Sequence, residues 1–117
     1  MAKTSSLTVT VSIQGDGTAL TYTPPNAPIQ NASCPVGGTV PQVLSSGDNT
    51  VNVPTGAQGL LIIPPTASVV AKKLKGIGGD TGLSISASLP TFISLATGAS
   101  TVLINAASGE TVTLLWV

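Results

Sequence analysis

Strict alternation of apolar and polar residues is the feature of this sequence that most restricts its fold. Every second residue from Leu7 to Ile13 is apolar, and the residues between them are Ser or Thr. In an extended chain this pattern places all of the apolar side chains on one face. The turn-forming residues "QGDG" at 14–17 follow, and the alternation resumes in "ALTYT" at 19–23. The pattern therefore predicts an N-terminal β-hairpin.

Short stretches of the same kind continue to the end of the chain, among them "TVNV", "LLII", "ASVVAKKL", "LSISA", "TFISL", "TVLIN" and "TVTLLWV". Turn residues separate them, and no window of a dozen residues keeps a convincing helical period. We therefore predict an all-β chain of about eight or nine short strands in a single domain spanning residues 1–117. The expected architecture is an antiparallel β-sandwich, jelly-roll-like, with Leu83 and Ile85 facing inward.

The last strand, "TVTLLWV", has apolar residues on both of its faces. Val112, Leu114 and Trp116 share one face, and Leu115 and Val117 lie on the other. We expect such a strand to be covered on both sides, by the core or by a neighbouring subunit. Leu115, Trp116 and Val117 are therefore candidate interface residues.

Residues 24–41 differ from the rest of the chain. The stretch "PPNAPIQNASCPVGGTVP" has five prolines and no periodicity. Because proline cannot donate a hydrogen bond to a β-ladder, we predict a long loop or an irregular edge segment here. Loops on a rigid scaffold are common places for partner contacts.

The low charge of the chain limits the partners that it can bind. Only 7% of the residues are charged, against about 25% in a typical soluble domain, and four lysines balance four acids. This balance provides no basic patch, so neither nucleic acid nor a membrane is an expected partner. Zero net charge also favours self-association into a homo-oligomer. The N-terminus alternates and lacks the apolar segment of a signal peptide, so we expect synthesis in the cytoplasm without export.

Side chains suited to catalysis are scarce. The chain has no histidine, which excludes a Ser-His-Asp triad and leaves Cys34 without an activating imidazole. Each acid falls in a predicted turn, where solvated turn-forming carboxylates are common: Asp16, Asp48, Asp80 and Glu110. We therefore predict a protein that is not an enzyme, with no catalytic residues, no cofactor and no metal site.

The segment "LKGIGGDTGLSIS" at 74–86 needs separate treatment because it resembles a ligand-binding loop. Its glycines do not fit the spacing of a dinucleotide-binding loop, and the residues after them predict a strand where a phosphate site needs a helix. Asp80 alone is a poor calcium site. We interpret the segment as a structural turn in which Asp80 accepts a hydrogen bond from a backbone N–H two residues on. The residues of this candidate turn are Gly76, Gly78, Gly79, Asp80 and Gly82.

The lysines of "KKLK" at 72–75 allow two interpretations. Charged side chains on an edge strand discourage pairing with other sheets. Alternatively, Lys72 and Lys73 form a docking contact with an acidic partner surface, and so both are candidate interface residues.

Three segments of the second half together resemble the C-terminal pattern of small virion proteins of tailed bacteriophages: "VPTGAQGLLIIPP", "LKGIGGDTGLSISASLPTFISL" and "TVLINAASGETVTLLWV". The resemblance covers residues 53–117 and implies a non-enzymatic structural subunit, located in the virion and made in the host cytoplasm. Such a subunit would be a capsid decoration (cement) protein, or an accessory part of the tail, baseplate or fibre. The implied partners are the major capsid protein or tail proteins, and trimers are frequent among decoration proteins.

A carbohydrate-binding β-sandwich is the alternative from another functional class. Such a module needs exposed aromatic side chains on which sugar rings can stack. This chain offers only Tyr22, Phe92 and Trp116.

Overall fold

The computed structural model describes residues 3–8, 11–13, 20–22, 29–34 and 39–117. These residues form β-strands and no helix, and all of the strand pairs are antiparallel. The predicted all-β antiparallel fold is confirmed. The strands are β1 (Lys3–Leu7), β2 (Val11–Ile13), β3 (Leu20–Tyr22), β4 (Ile29–Cys34), β5 (Thr39–Leu44), β6 (Gly47–Asn52), β7 (Gly59–Ile63), β8 (Lys72–Lys75), β9 (Leu83–Ile85), β10 (Thr91–Ser94), β11 (Thr101–Ala106) and β12 (Glu110–Trp116).

Two four-stranded sheets form a β-sandwich, as the sequence predicted. The first sheet has the order β10-β7-β12-β5, and the second sheet has the order β6-β11-β8-β9. Strands that follow each other in the chain occupy corresponding places in the two sheets: β5 with β6, β7 with β8, β9 with β10, and β11 with β12. Most connections therefore cross between the sheets, and the β8–β9 hairpin is an exception because both of its strands belong to the second sheet.

Both sheets contribute side chains to one apolar core. Alternate residues of the central strands are fully buried, and burying each large one contributes about 1.5–3 kcal/mol. The predicted shared face of Val112, Leu114 and Trp116 is confirmed, because all three belong to this cluster. The buried members are Leu44, Val51, Leu60, Ile62, Ile104, Ala106, Val112, Leu114 and Trp116.

The N-terminal strands form two smaller sheets. Strand β2 pairs with β3, with Ile13 opposite Leu20, so the predicted hairpin is confirmed, and its turn lies outside the described residues. The alternating run from Leu7 is not one strand, because Leu7 belongs to β1, which pairs with β4. The side-chain amide of Asn31 in β4 donates to the carbonyl of Gly56 at 3.0 Å. This bond links β4 to the loop between β6 and β7.

The prediction that residues 24–41 are irregular throughout was wrong. Residues 29–34 form β4, and β5 begins at Thr39. Strand β4 lies between Pro28 and Pro35, so none of its own residues lacks a backbone N–H. Pro41 lies in β5, which is an edge strand of the first sheet and pairs on only one side. The rest of the segment lies outside the described residues.

Two expectations for the second sheet also need correction. Leu83 lies opposite Leu74 on the core side of the sheet, as predicted, but it is 67% exposed and does not join the core. It lies on β9, a three-residue edge strand, where only Ile85 packs against the core cluster. The stretch "ASVVAKKL" is a strand only at Lys72–Lys75, because the chain turns at Ala67, which has a φ of 57°.

Candidate functional site

The outer surface of the first sheet is mainly apolar. Directly opposite residues in a β-ladder project to the same face, and here Leu115 lies opposite Leu61, which lies opposite Phe92. Since the alternate residues Leu114 and Leu60 are buried in the core, this row projects outward. The outward positions of the first sheet, named here the apolar face, are Thr39, Pro41, Val43, Leu61, Ile63, Phe92, Ser94, Thr111, Thr113 and Leu115.

Charge is absent from the apolar face. Of the five outward side chains on its two central strands, Thr111 is exposed and the other four are half-buried, and Val43 on the edge strand is 69% exposed. The hydroxyl residues of the face are Thr39, Ser94, Thr111 and Thr113, and none of the ten positions carries a charged side chain. Six of the ten positions are apolar, and an outward sheet surface of a solvated antiparallel sheet is usually polar. A rigid, uncharged apolar surface is typical of a protein-contact site.

The outer surface of the second sheet is polar and charged. Lys75 and Asp48 form an ion pair of 3.1 Å, and the side-chain amide of Asn105 donates to Asp48 at 2.7 Å. The hydrogen bond from Asn105 and then the contact with Lys75 lower the pKa of Asp48. The outward positions, named here the polar face, are Asp48, Thr50, Asn52, Lys73, Lys75, Ser84, Thr101, Leu103 and Asn105.

The glycine-rich turn joins β8 to β9 at the edge of the polar face. The Asp80 carboxylate accepts hydrogen bonds from the backbone N–H groups of Gly76 at 3.1 Å and Ile77 at 3.0 Å. These donors precede Asp80, so the prediction of a donor two residues on was wrong. The Asp80 carboxylate therefore connects the end of the turn to its beginning.

Two of the glycines in this turn are restricted by their surroundings. Gly82 has a φ of 86°, and a Cβ there would lie 2.9 Å from Lys75 Cγ and 3.0 Å from the Leu74 carbonyl. A Cβ on Gly76 would lie 3.0 Å from the Asp80 carboxylate. A Cβ on Gly78 would lie 3.4 Å from Asp48, and one on Gly79 would meet nothing within 4 Å. The turn therefore requires glycine most strictly at position 82.

A buried ion pair joins the two sheets. Lys72 lies opposite Ala106 in the second sheet, and its Nζ reaches Glu110 Oε2 of the first sheet at 2.5 Å. The two side chains are 1% and 8% exposed. Lys72 also donates to the carbonyls of Val70 at 3.0 Å and Ala87 at 3.1 Å, and the Ser68 hydroxyl donates to Glu110 Oε1.

The surroundings of Glu110 keep it ionised. Burial by itself raises the pKa of this carboxyl, but the hydrogen bonds from Lys72 and Ser68 and the charge of Lys72 together hold it below its ordinary value. Removing one partner of a buried, hydrogen-bonded pair leaves an uncompensated charge and costs about 3–5 kcal/mol. The pair therefore acts as a clasp between the sheets.

Three of the candidate interface residues are buried within the chain, so the prediction that they contact a partner was wrong. Lys72 is inside the sandwich, and so it neither protects an edge nor contacts an acidic partner. Trp116 belongs to the core, and Val117 is buried where its backbone bonds to Gly59. The alternation places Lys72 in phase with Leu74, which also faces the core. Lys73 lies on the polar face, and Leu115 lies in the middle of the apolar face.

Neither a metal-binding cluster nor a membrane-spanning helix is found among the residues that the structure describes. In these parts of the chain, no three side chains among His, Cys, Asp and Glu come close enough to hold a metal ion. Within the same ranges, no helix is long and apolar enough to cross a membrane. Trp116 is buried and offers no stacking surface to a sugar, whereas Phe92 is half-buried on the apolar face. The structure does not describe the side chains of Tyr22 and Cys34.

Comparison of the chain with protein-family models, curated proteins and solved structures finds no match.

Sequence reasoning missed the apolar face and the clasp, although both left a signal. In "LLII", Leu61 and Ile63 alternate with the core residues Leu60 and Ile62, so they had to face outward once the strand lay in a two-layer sandwich. Glu110 is likewise in phase with the core residue Val112. The sequence does not show which strands of the two sheets lie across the core from each other, and so it does not reveal that Lys72 of β8 meets Glu110 of β12.

Proposed function

We propose that this protein is a non-enzymatic structural subunit that works by burying its apolar face against other proteins. Within that class, we propose a virion protein of a tailed bacteriophage, acting as a decoration (cement) subunit that stabilises the capsid. The observation that carries the proposal is an uncharged, largely apolar surface on the outside of a rigid sheet.

The physical basis is the free energy of removing apolar surface from water. Each square ångström of apolar surface that is buried contributes about 25 cal/mol. Because the side chains of the apolar face project from hydrogen-bonded strands, their positions are already fixed before binding, and little ordering of the backbone opposes association. The sheet thus presents a surface suited to contact with a partner.

The contact expected from this surface is individually weak and gains strength by repetition. A face four strands wide and about six residues long covers roughly 400 Å², which is about half of what a standard interface buries on each partner. Many copies on one particle would act together, because a subunit held by a second contact rebinds at high effective concentration. This behaviour suits a decoration subunit on a repeating lattice.

The virion assignment is supported by the resemblance of residues 53–117 to small phage virion proteins. The glycine-rich turn and the strands that carry this resemblance include the β8–β9 hairpin and the strands β7 and β12 at the centre of the first sheet. The segments that carry the resemblance therefore include three of the four strands of the apolar face, and β5 lies outside them.

The test is the distribution of the chain among particles. Particles purified from cells that produce this chain would be sedimented, separated into heads and tails, and analysed by quantitative mass spectrometry. We expect the chain to sediment with heads in a copy number comparable to that of the major capsid protein. Recovery with tails alone would overturn the decoration role, and recovery only in the soluble fraction would overturn the virion assignment altogether.

A further inference from the structure

We infer that the partner covering the apolar face is a second copy of this chain, stacked sheet against sheet about a two-fold axis. The inference depends on the proposal that the apolar face is a binding surface. It adds the identity of the occupant and the symmetry of the contact, so that on a particle this face links neighbouring copies and the contact with the capsid lies elsewhere on the chain.

Charge is the first argument for a second copy. Any partner that carried charged groups onto the apolar face would lose their hydration, and the face has no counter-charge to replace it. The partner surface must therefore be uncharged as well. The chain itself has such a surface, and two copies meeting through it bring no like charges together. Zero net charge on each copy removes long-range repulsion as well.

Shape is the second argument. Two sheets stack with their mean planes about 10 Å apart when side chains from the facing surfaces interdigitate. On the apolar face, large and small side chains are neighbours along two strands, with Thr113 next to Leu115 on β12 and Ser94 next to Phe92 on β10. Such neighbours allow two copies related by a two-fold rotation to interdigitate, which an isologous contact requires.

Area determines how strong this association should be. With roughly 400 Å² from each copy, the contact is smaller than a standard specific interface, so we expect a weak, transient association with a dissociation constant in the micromolar range. The polar face offers no equivalent, because stacking it on itself would bring Lys73 and Lys75 of each copy into a dry contact. The inference therefore predicts a reversible dimer formed by one face only.

Sedimentation equilibrium of the purified full chain, from about 1 µM to about 500 µM, tests the inference in the concentration range where a micromolar dimer dissociates. We expect wild type to pass from monomer to dimer, and Leu115→Lys and Leu115→Glu each to remain monomeric. An equimolar mixture of these two variants should form dimers again, because the two facing surfaces then carry opposite charges. The matched control is Leu103→Glu, a half-buried leucine at the centre of the polar face, which should dimerise like wild type.

Folding is checked by far-UV circular dichroism and thermal melting of each variant. If a Leu115 variant does not fold, Thr113→Lys and Thr113→Glu introduce the same charges on the same face with less loss of apolar surface. Wild type that stays monomeric throughout would overturn the inference. Dimers that persist in the charged variants, a mixture that fails to reassociate, or a trimer would each overturn it as well.

The outcomes for this inference and for the proposed function are separable. A chain that is monomeric alone but sediments with heads would refute the second copy and leave the decoration role standing. A chain that dimerises through Leu115 but is absent from particles would support the second copy and refute the decoration role.

Discussion

The two outer faces of the sandwich come from the same alternating strand pattern but carry opposite chemistry. On the polar face, Lys75 forms an ion pair with Asp48, Asn105 donates a hydrogen bond to Asp48, and this polar surface can remain in contact with water. On the apolar face, the corresponding outward positions of the central strands include Leu61 and Leu115. Burial in the core cannot explain these leucines, because the core side of the same strands is already filled. The difference indicates that one face is suited to solvent and the other to contact.

The largest expected effect distinguishes charges inside the sandwich from charges on its polar face. Glu110→Ala leaves the Lys72 ammonium buried without its counter-ion, and we expect unfolding in urea to show a loss of about 3–5 kcal/mol. Lys73→Met, one residue away from Lys72 but outward on the polar face, should change the unfolding free energy by less than about 0.5 kcal/mol.

A double variant isolates the cause of that loss. Lys72→Met together with Glu110→Leu removes both charges, and we expect it to recover most of the stability lost by Glu110→Ala. If Glu110→Ala unfolds at the same urea concentration as wild type, the ion pair of Lys72 and Glu110 contributes nothing to the stability of the fold. The expected difference between buried charges and charges on the polar face would then be wrong.

The next largest effect lies in the glycine-rich turn beside the polar face. Gly82→Val introduces a β-branched side chain at a φ of 86° and against the Leu74 carbonyl, and so we expect a loss of about 2 kcal/mol or more. Gly79→Ala is the matched control, because its Cβ would meet nothing within 4 Å, and it should melt within a few degrees of wild type. Equal melting temperatures for the two variants would contradict the assigned geometry of the turn.

The smallest effect concerns pH and salt. Because the folded-state pKa of Glu110 is lowered, its stabilisation is fully present above the unfolded-state pKa of about 4.3 and is lost as the pH falls through the folded-state value. The stability gap between wild type and Glu110→Gln should therefore narrow as the pH is lowered from about 6 to about 2. At neutral pH this gap should persist in about 1 M salt, since the pair is buried.

Asp48→Asn provides the comparison on the polar face. The pKa of Asp48 is also lowered, so its contribution has the same sign, but the ion pair with Lys75 is partly exposed to solvent and salt should screen it more than the buried pair. Titration of both variants by urea unfolding, with and without salt, separates the two cases. A salt-insensitive gap for Asp48→Asn, larger than that for Glu110→Gln, would reverse the assignment of inside and outside.

The sequence predicted the fold class well because strand alternation is a local property. The phase of Val112, Leu114 and Trp116 was sufficient to place them in the core. The positions of Lys72 and Glu110 were not predicted, because an ion pair between strands of different sheets depends on a register that no single strand contains. The phase of Leu83 was also right, but its exposure was not predicted, since that exposure follows from the place of β9 at the edge of the sheet.

Hydroxyl-radical footprinting of the chain, alone in dilute solution and in purified particles, tests the central claim most directly. Oxidation of Leu61, Phe92 and Leu115 should fall on assembly, while oxidation of Leu103 on the polar face should be unchanged. The opposite pattern, with Leu103 protected and the apolar face as reactive in particles as in solution, would show that the apolar face is not the contact surface.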